Sequence, residues 1–158
     1  MKEAKRTPTG TALSDAIFEL LRLNSRLITA GDRLVAGLGL TSARWQILGT
    51  LVAAHRAQPV AWIARDMGAN RQNVQRIVND LARDELVEFR PNPHHRRAQL
   101  VVLTDKGIKA YDDAMRLQAP WVNDLSRGLQ PEDIEATRKV VTTLRLRLED
   151  GDAADAQE

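Results

Sequence analysis

The sequence predicts a mainly α-helical fold that carries one small β-hairpin. Three observations lead there. Apolar residues such as Leu13, Ile17, Leu20, Leu21, Leu23, Leu27 and Ile28 recur at helical spacing, and the pattern continues along most of the chain. Only two short runs, "LVEF" at Leu86–Phe89 and "QLVVL" at Gln99–Leu103, have β character. Between them Pro91, Asn92 and Pro93 are turn formers, which favours a hairpin over a continuing helix.

Each helix has its own start and stop. The first runs from about Leu13 to Leu34 or Val35 and ends in the glycine-bearing "AGLGL". Thr41 then stands where an N-cap belongs and opens "TSARWQILGTLVAAHR", with Trp45, Leu48, Leu51 and Val52 along one side. "AQPV" breaks it. A short helix, "VAWIARDM", offers Val60, Ile63, Ala64 and Met67 to the core, and "GAN" supplies a tight turn. The next helix, "RQNVQRIVNDLARDE", turns Val74, Ile77, Val78 and Leu81 inward. After the hairpin, Thr104 caps "DKGIKAYDDAMRLQAPWVNDLSRG", where Pro120 kinks or interrupts the helix. The last helix opens at "QPED", with Pro131 in its first turn beside two acids, and carries Ile134, Val140, Val141, Leu144 and Leu148.

Composition narrows the function. A chain of 158 residues buries a core of useful size, and no apolar run approaches the roughly 20 residues of a membrane span. The opening "MKEAKRTPTG" has charges but no hydrophobic stretch behind them, so no secretory signal is expected and a cytoplasmic location is. Cysteine is absent, which removes disulfides, thiolate nucleophiles and Cys-ligated zinc together. The net charge of +2 conceals an acidic end: Glu149, Asp150, Asp152, Asp155 and Glu158 follow one another with no basic residue between them. Without those five, 16 acids stand against 23 Lys and Arg, so the body carries about +7 and suits a polyanionic partner. No phosphate-cradling Gly-rich loop and no nucleophile-histidine context is present, so an enzyme is not expected and no cofactor is implied.

The stretch "IARDMGANRQNVQRIVNDL" has the arrangement of a helix-turn-helix. Ala64 is small where two helices cross, Gly68 permits the turn, and Val74 and Ile77 hold the second helix against the first. That second helix exposes Arg71, Gln72, Asn73, Gln75, Arg76 and Asn79, with no acid between Arg71 and Asn79. Arg, Asn and Gln are the side chains that form paired hydrogen bonds with guanine or adenine edges in a major groove. A basic-tipped hairpin directly after such a helix is the layout of a winged helix. It places Arg96 and Arg97 for phosphates or a narrow minor groove, with Arg90 at the wing's base for a further backbone contact. A metal at His94 and His95 is not expected. Neighbours on an extended chain point to opposite faces, and the only other histidine is His55.

With these residues in view, "LTSARWQILGTL", the helix-turn-helix and "NPHHRRAQLVVLTDKG" together resemble the MarR family of winged helix-turn-helix transcription regulators. The likeness spans about Leu13 to Leu148, and its most specific part is the wing with "LVVLTDKG", where the family commonly reads Asp-x-Arg-(Arg) and then Leu-x-Leu-Thr-x-x-Gly. It implies a homodimer built from the first and last helices, a palindromic operator in double-stranded DNA, and a small aromatic or phenolic effector that releases a repressor. The organisation expected is a flexible basic arm at 1–10, dimerisation helices at 11–37 and 105–148, a winged helix-turn-helix lobe at 38–104, and an acidic disordered tail at 149–158. The spacing of Ile134, Val141, Leu144 and Leu148 suits a helix-helix seam. Trp45, His55 and Trp62 are the candidate lining of an effector pocket.

Two positions depart from the family pattern. His95 stands where the family carries an aspartate that orients the key arginine, here Arg97. A neutral imidazole would accept from Arg97 and a protonated one would repel it, so DNA affinity is expected to vary with pH. Glu85 stands where the family has a glycine ending the recognition helix, which is tolerable if the turn avoids positive φ. The alternative to a DNA-binding regulator is a winged-helix module for protein contacts. That module would carry an apolar or acidic face where this chain has Arg71 to Asn79.

Overall fold

A computed structural model describes residues 5–155, with side chains to residue 150. The chain forms two compact units, Met1–Ala119 and Pro120–Glu158. Along the first run α1 (Pro8–Val35), a 3-10 turn (Ala36–Leu38), α2 (Ser42–Ala54), β1 (Gln58–Pro59), α3 (Val60–Asp66), α4 (Arg71–Arg83), β2 (Val87–Arg90), β3 (Leu100–Leu103) and most of α5 (Asp105–Leu125). The end of α5 and α6 (Pro131–Asp155) make the second. Among the described residues no helix is long and apolar enough to cross a membrane.

The core sits where α2, α3 and α4 cover the small sheet. Ile47 and Leu48 of α2, Ile63 of α3, Val74, Val78 and Leu81 of α4, Val87 of β2 and Val101 of β3 are all nearly inaccessible to solvent. Burying each such side chain stabilises the fold by about 1.5–3 kcal/mol. Ile47, rather than Trp45, is the deeply buried residue of the first turns of α2; Trp45 packs against the core while staying partly exposed.

The sheet holds one strand that the sequence pattern hid. It is antiparallel in the order β1-β3-β2, with Gln58 opposite Val101 and Pro59 opposite Leu100. "AQPV" reads as a break because proline donates no backbone hydrogen bond, yet an edge position tolerates that loss. In the hairpin Val87 faces Leu103 and Arg90 faces Leu100.

Both ends of the chain are more helical than expected. The arm at 1–10 stops being an arm at Pro8, because Thr7 caps α1 by accepting from Gly10 N at 3.0 Å and Pro8 begins the first turn. Residues 1–4 lie outside the described residues. The acidic segment expected to be disordered at 149–158 is instead helical through Asp155. Arg145 holds Glu149 one turn on at 2.6 Å, and Ala153 and Ala154 favour helix. Residues 156–158 lie outside the description.

The turn after α4 overturns the expectation for Glu85. Its φ is +61°, so a non-glycine residue occupies the left-handed conformation. Leu86 N donates to Leu81 O at 2.9 Å and Glu85 N to Ala82 O at 3.0 Å, a Schellman closure that requires this conformation whatever the side chain. Leu81 and Leu86 are both buried, which fixes the closure from within. Thr104 secures it from the other side. Its Oγ1 donates to the Glu85 carbonyl at 2.7 Å and accepts from Gly107 N at 3.0 Å. Gly107 passes so close beneath Leu86 that a Cβ there would lie 1.9 Å from the Leu86 carbonyl oxygen. We expect Gly107→Ala to cost at least about 2 kcal/mol in denaturant unfolding. Glu85→Gly should stabilise by about 0.5–1 kcal/mol, because relief of the left-handed strain outweighs the added chain entropy.

Candidate nucleic-acid interface

α4 begins with a complete cap. Asn70 Oδ1 accepts from Gln72 N at 2.9 Å and from Asn73 N at 3.2 Å, and the first turn holds no acid. The positive end of the helix dipole therefore meets no carboxylate in the helix's own first turn. Val74, Ile77, Val78 and Leu81 anchor the inner face, which leaves Arg71, Gln72, Asn73, Arg76 and Asn79 exposed and Gln75 half-buried. All six predicted residues of the helix thus reach its outer surface.

Part of this polar face is internally paired. Gln75 Nε2 donates to Asn79 Oδ1 at 3.0 Å, and Arg76 donates to Asn73 Oδ1 at 2.9 Å while lying 3.8 Å from Asp80. Each is an exposed contact with a net worth of about 1 kcal/mol, so exchanging it for a base edge costs little. Among the described residues the Arg71 and Gln72 side chains have no hydrogen-bond partner and extend directly from the capped end.

The wing tip is built of two turns, so the extended-chain argument about His94 and His95 does not describe it. Asn92 Oδ1 accepts from His94 N at 3.0 Å, Asn92 O accepts from His95 N at 3.3 Å, and His95 O accepts from Ala98 N at 3.1 Å. Both histidines are exposed. Among the described residues no group of three or more His, Cys, Asp or Glu is arranged to hold a metal ion. Arg90 is engaged by Glu88, with Nε 2.6 Å from Oε1. Arg96 and Arg97 are exposed and carry no ion pair among the described residues. His95 makes no hydrogen bond to Arg97.

Arg97 instead lines a cleft of about 110 Å³ between helix and wing. Arg71 and Gln75 of α4 line one side, Phe89 and Arg97 of the hairpin the other, and Pro59 to Ala61 the floor. No acid lines it. Two arginines and a glutamine thus line one cleft, residue types whose donors suit phosphate oxygens or base edges. Asn70, which caps α4, and Phe89, which lines the cleft, were not among the predicted residues. An Asn directly before a helical run is a readable cap signal, whereas Phe89 reaches the cleft only through strand pairing.

A larger concavity of about 380 Å³ lies away from this face, between the end of α2, β3 and the start of α5. Leu51, Val52, Val101, Leu103 and Ile108 make it apolar, and His55, Arg56 and Asp112 supply its polar groups. His55 is the one candidate pocket residue found there. Trp45 packs on the core, and Trp62 stands exposed on α3 with the Arg56 guanidinium 5.0 Å and the Arg65 guanidinium 5.8 Å from its ring centre.

A family model described as MarR family matches residues 38–98. An uncharacterized protein of Mycobacterium tuberculosis is 38% identical over 122 residues, which cover 77% of this chain and 82% of that one. The structure of a MarR family transcriptional regulator from Streptomyces coelicolor is similar with a TM-score of 0.73 at 26% identity, covering 89% of this chain and 98% of that one. The Mycobacterium tuberculosis transcriptional regulator MosR, solved in complex with DNA, matches with a TM-score of 0.71 at 22% identity, over 85% of this chain and 96% of MosR.

If Asn70 organises the start of α4 as described, Asn70→Ala should lower the unfolding free energy by about 1 kcal/mol in denaturant titration. Asn70→Asp should retain most of it.

Proposed function

The chain belongs to the MarR family of winged-helix transcriptional regulators, and on that premise we propose that it is a homodimeric repressor of a palindromic operator in double-stranded DNA. α4 enters the major groove, and the β2–β3 wing lies along the adjacent backbone or minor groove. The observation that carries this reading is the acid-free cleft that brings Arg71, Gln75 and Arg97 together from two elements. Recognition helix and wing then address one continuous stretch of duplex. Likeness in fold to MosR, which was solved with DNA, supports the same reading.

The dimer is supported by apolar surface that each unit leaves uncovered. On α1, Ile17, Phe18, Leu21, Leu23, Leu27 and Ile28 are exposed, with Phe18 at 62%. On α6 Ile134, Val140, Val141, Leu146 and Leu148 are exposed. Stripes of this extent mark surfaces that a partner covers. Two-fold symmetry then sets two recognition helices about 34–36 Å apart, one helical turn of DNA. The α2–β3–α5 concavity is the place proposed for a small aromatic effector, with apolar walls for its ring and Arg56 or His55 for a polar substituent. Such a regulator works in the cytoplasm, where its operator is.

Selection of genomic fragments on the native protein tests the reading. It should recover a two-fold-symmetric sequence whose affinity falls steeply as salt rises; recovery of no duplex would leave the protein-contact module standing. On the selected operator, Arg97→Ala should cost about 1–3 kcal/mol if it reads a groove edge. If it meets only phosphate, all sequences should weaken alike and the salt slope should fall by about one.

A further inference from the structure

The end of α4 farthest from its capped start is held by two other helices. Asp84, which closes α4, accepts from Nη2 of Arg44 in the first turn of α2. The Arg44 side chain is only 17% exposed, and its Nη1 donates to the Gly39 carbonyl at 3.0 Å, in the loop after α1. From the start of α5, Lys106 Nζ donates to the Asp84 carbonyl at 2.8 Å and lies 3.7 Å from the Glu85 carboxylate. Among the described residues Arg44–Asp84 and Lys106–Glu85 are the ion pairs that join separate elements. α2 is itself fastened to α1. Ser42 Oγ donates to the Ile28 carbonyl at 2.8 Å, and Ser42 N donates to Asp32 Oδ1 at 2.6 Å.

Stability alone is a poor reason for this arrangement. Arg44 Nε is buried with no partner, and the Asp84 side chain is 52% exposed, so solvent screens the pair. What the arrangement does supply is position. Two cations sit at the negative end of the helix dipole, one from each helix that packs on the joint.

We propose that Arg44 and Lys106 are positioning residues that fix the pivot of the recognition helix and thereby set the half-site spacing the homodimer accepts. The inference rests on the operator reading above. α4 has 13 residues and spans about 20 Å, so a tilt of about 10° about its C-terminal end moves its first side chains by about 3 Å. The rise per base pair is about 3.4 Å. A helix held at its far end against α2 and α5 keeps its register to within a base pair, and a helix released there does not.

Three duplexes test this: the selected operator, the same operator with one base pair added at its centre, and a single half-site. Native protein should prefer the selected spacing. Asp84→Asn removes the acceptor charge at an exposed position and keeps the backbone carbonyl that Lys106 uses. It should bind the half-site within about twofold of native while losing at least about fivefold of the spacing preference. Lys106→Gln should shift the preference in the same direction by less, and Asp84→Glu should retain it. The inference is overturned if Asp84→Asn keeps the native spacing preference, or if it loses half-site and operator affinity in equal proportion. Native protein with no spacing preference would overturn the dimeric operator reading, and this inference with it.

Discussion

The lobe depends on one close approach, the passage of Gly107 beneath the carbonyl of Leu86. No other residue fits there, since a Cβ would lie 1.9 Å from the oxygen. The contact brings together the end of α4, the start of β2, the end of β3 and the start of α5. Thr104 ties them with its bonds to Glu85 O and Gly107 N. The orientation of the recognition helix relative to the wing is decided at this joint, because α4 arrives at it and both wing strands leave from it. The cleft that unites Arg71, Gln75 and Arg97 is the far consequence.

Most of the helical order was legible because apolar spacing and caps act over a few residues. Thr41 caps α2 through Arg44 N, and Gly68 turns with φ +59°, as their residue types suggest. What escaped depends on partners distant in the chain. β1 is two residues long and exists because β3 pairs with it. Glu85 adopts positive φ because Leu81, Leu86 and Thr104 require the closure, and local preference yields to that demand. Trp45 and Trp62 suggested a pocket by residue type alone, yet neither lines the concavity between α2, β3 and α5, where His55 stands among aliphatic residues.

The interface residues were easier to place than their partners. A helix with Arg, Asn and Gln outward and Val, Ile and Leu inward allows one rotation only, so α4 presented its predicted face. The pairing of Gln75 with Asn79 and of Arg76 with Asn73 follows from the i, i+3 and i, i+4 spacing. Such pairs keep a donor-rich surface partly satisfied in the absence of a ligand, and they can be exchanged at small cost. His95 is the opposite case. Its position in the motif invited a role in steadying Arg97, but the tip folds into two turns in which only its backbone is bonded, and Arg97 lines the cleft with Arg71 and Gln75.

The central claim is that duplex DNA meets the capped end of α4 and the wing together. Arginine-specific chemical modification, mapped by mass spectrometry with and without the selected operator, addresses it directly. The account predicts that DNA protects Arg71, Arg76, Arg96 and Arg97, and leaves Arg22 and Arg138, exposed on α1 and α6, as reactive as before. Protection spread evenly over all six, or confined to α1 and α6, would contradict it.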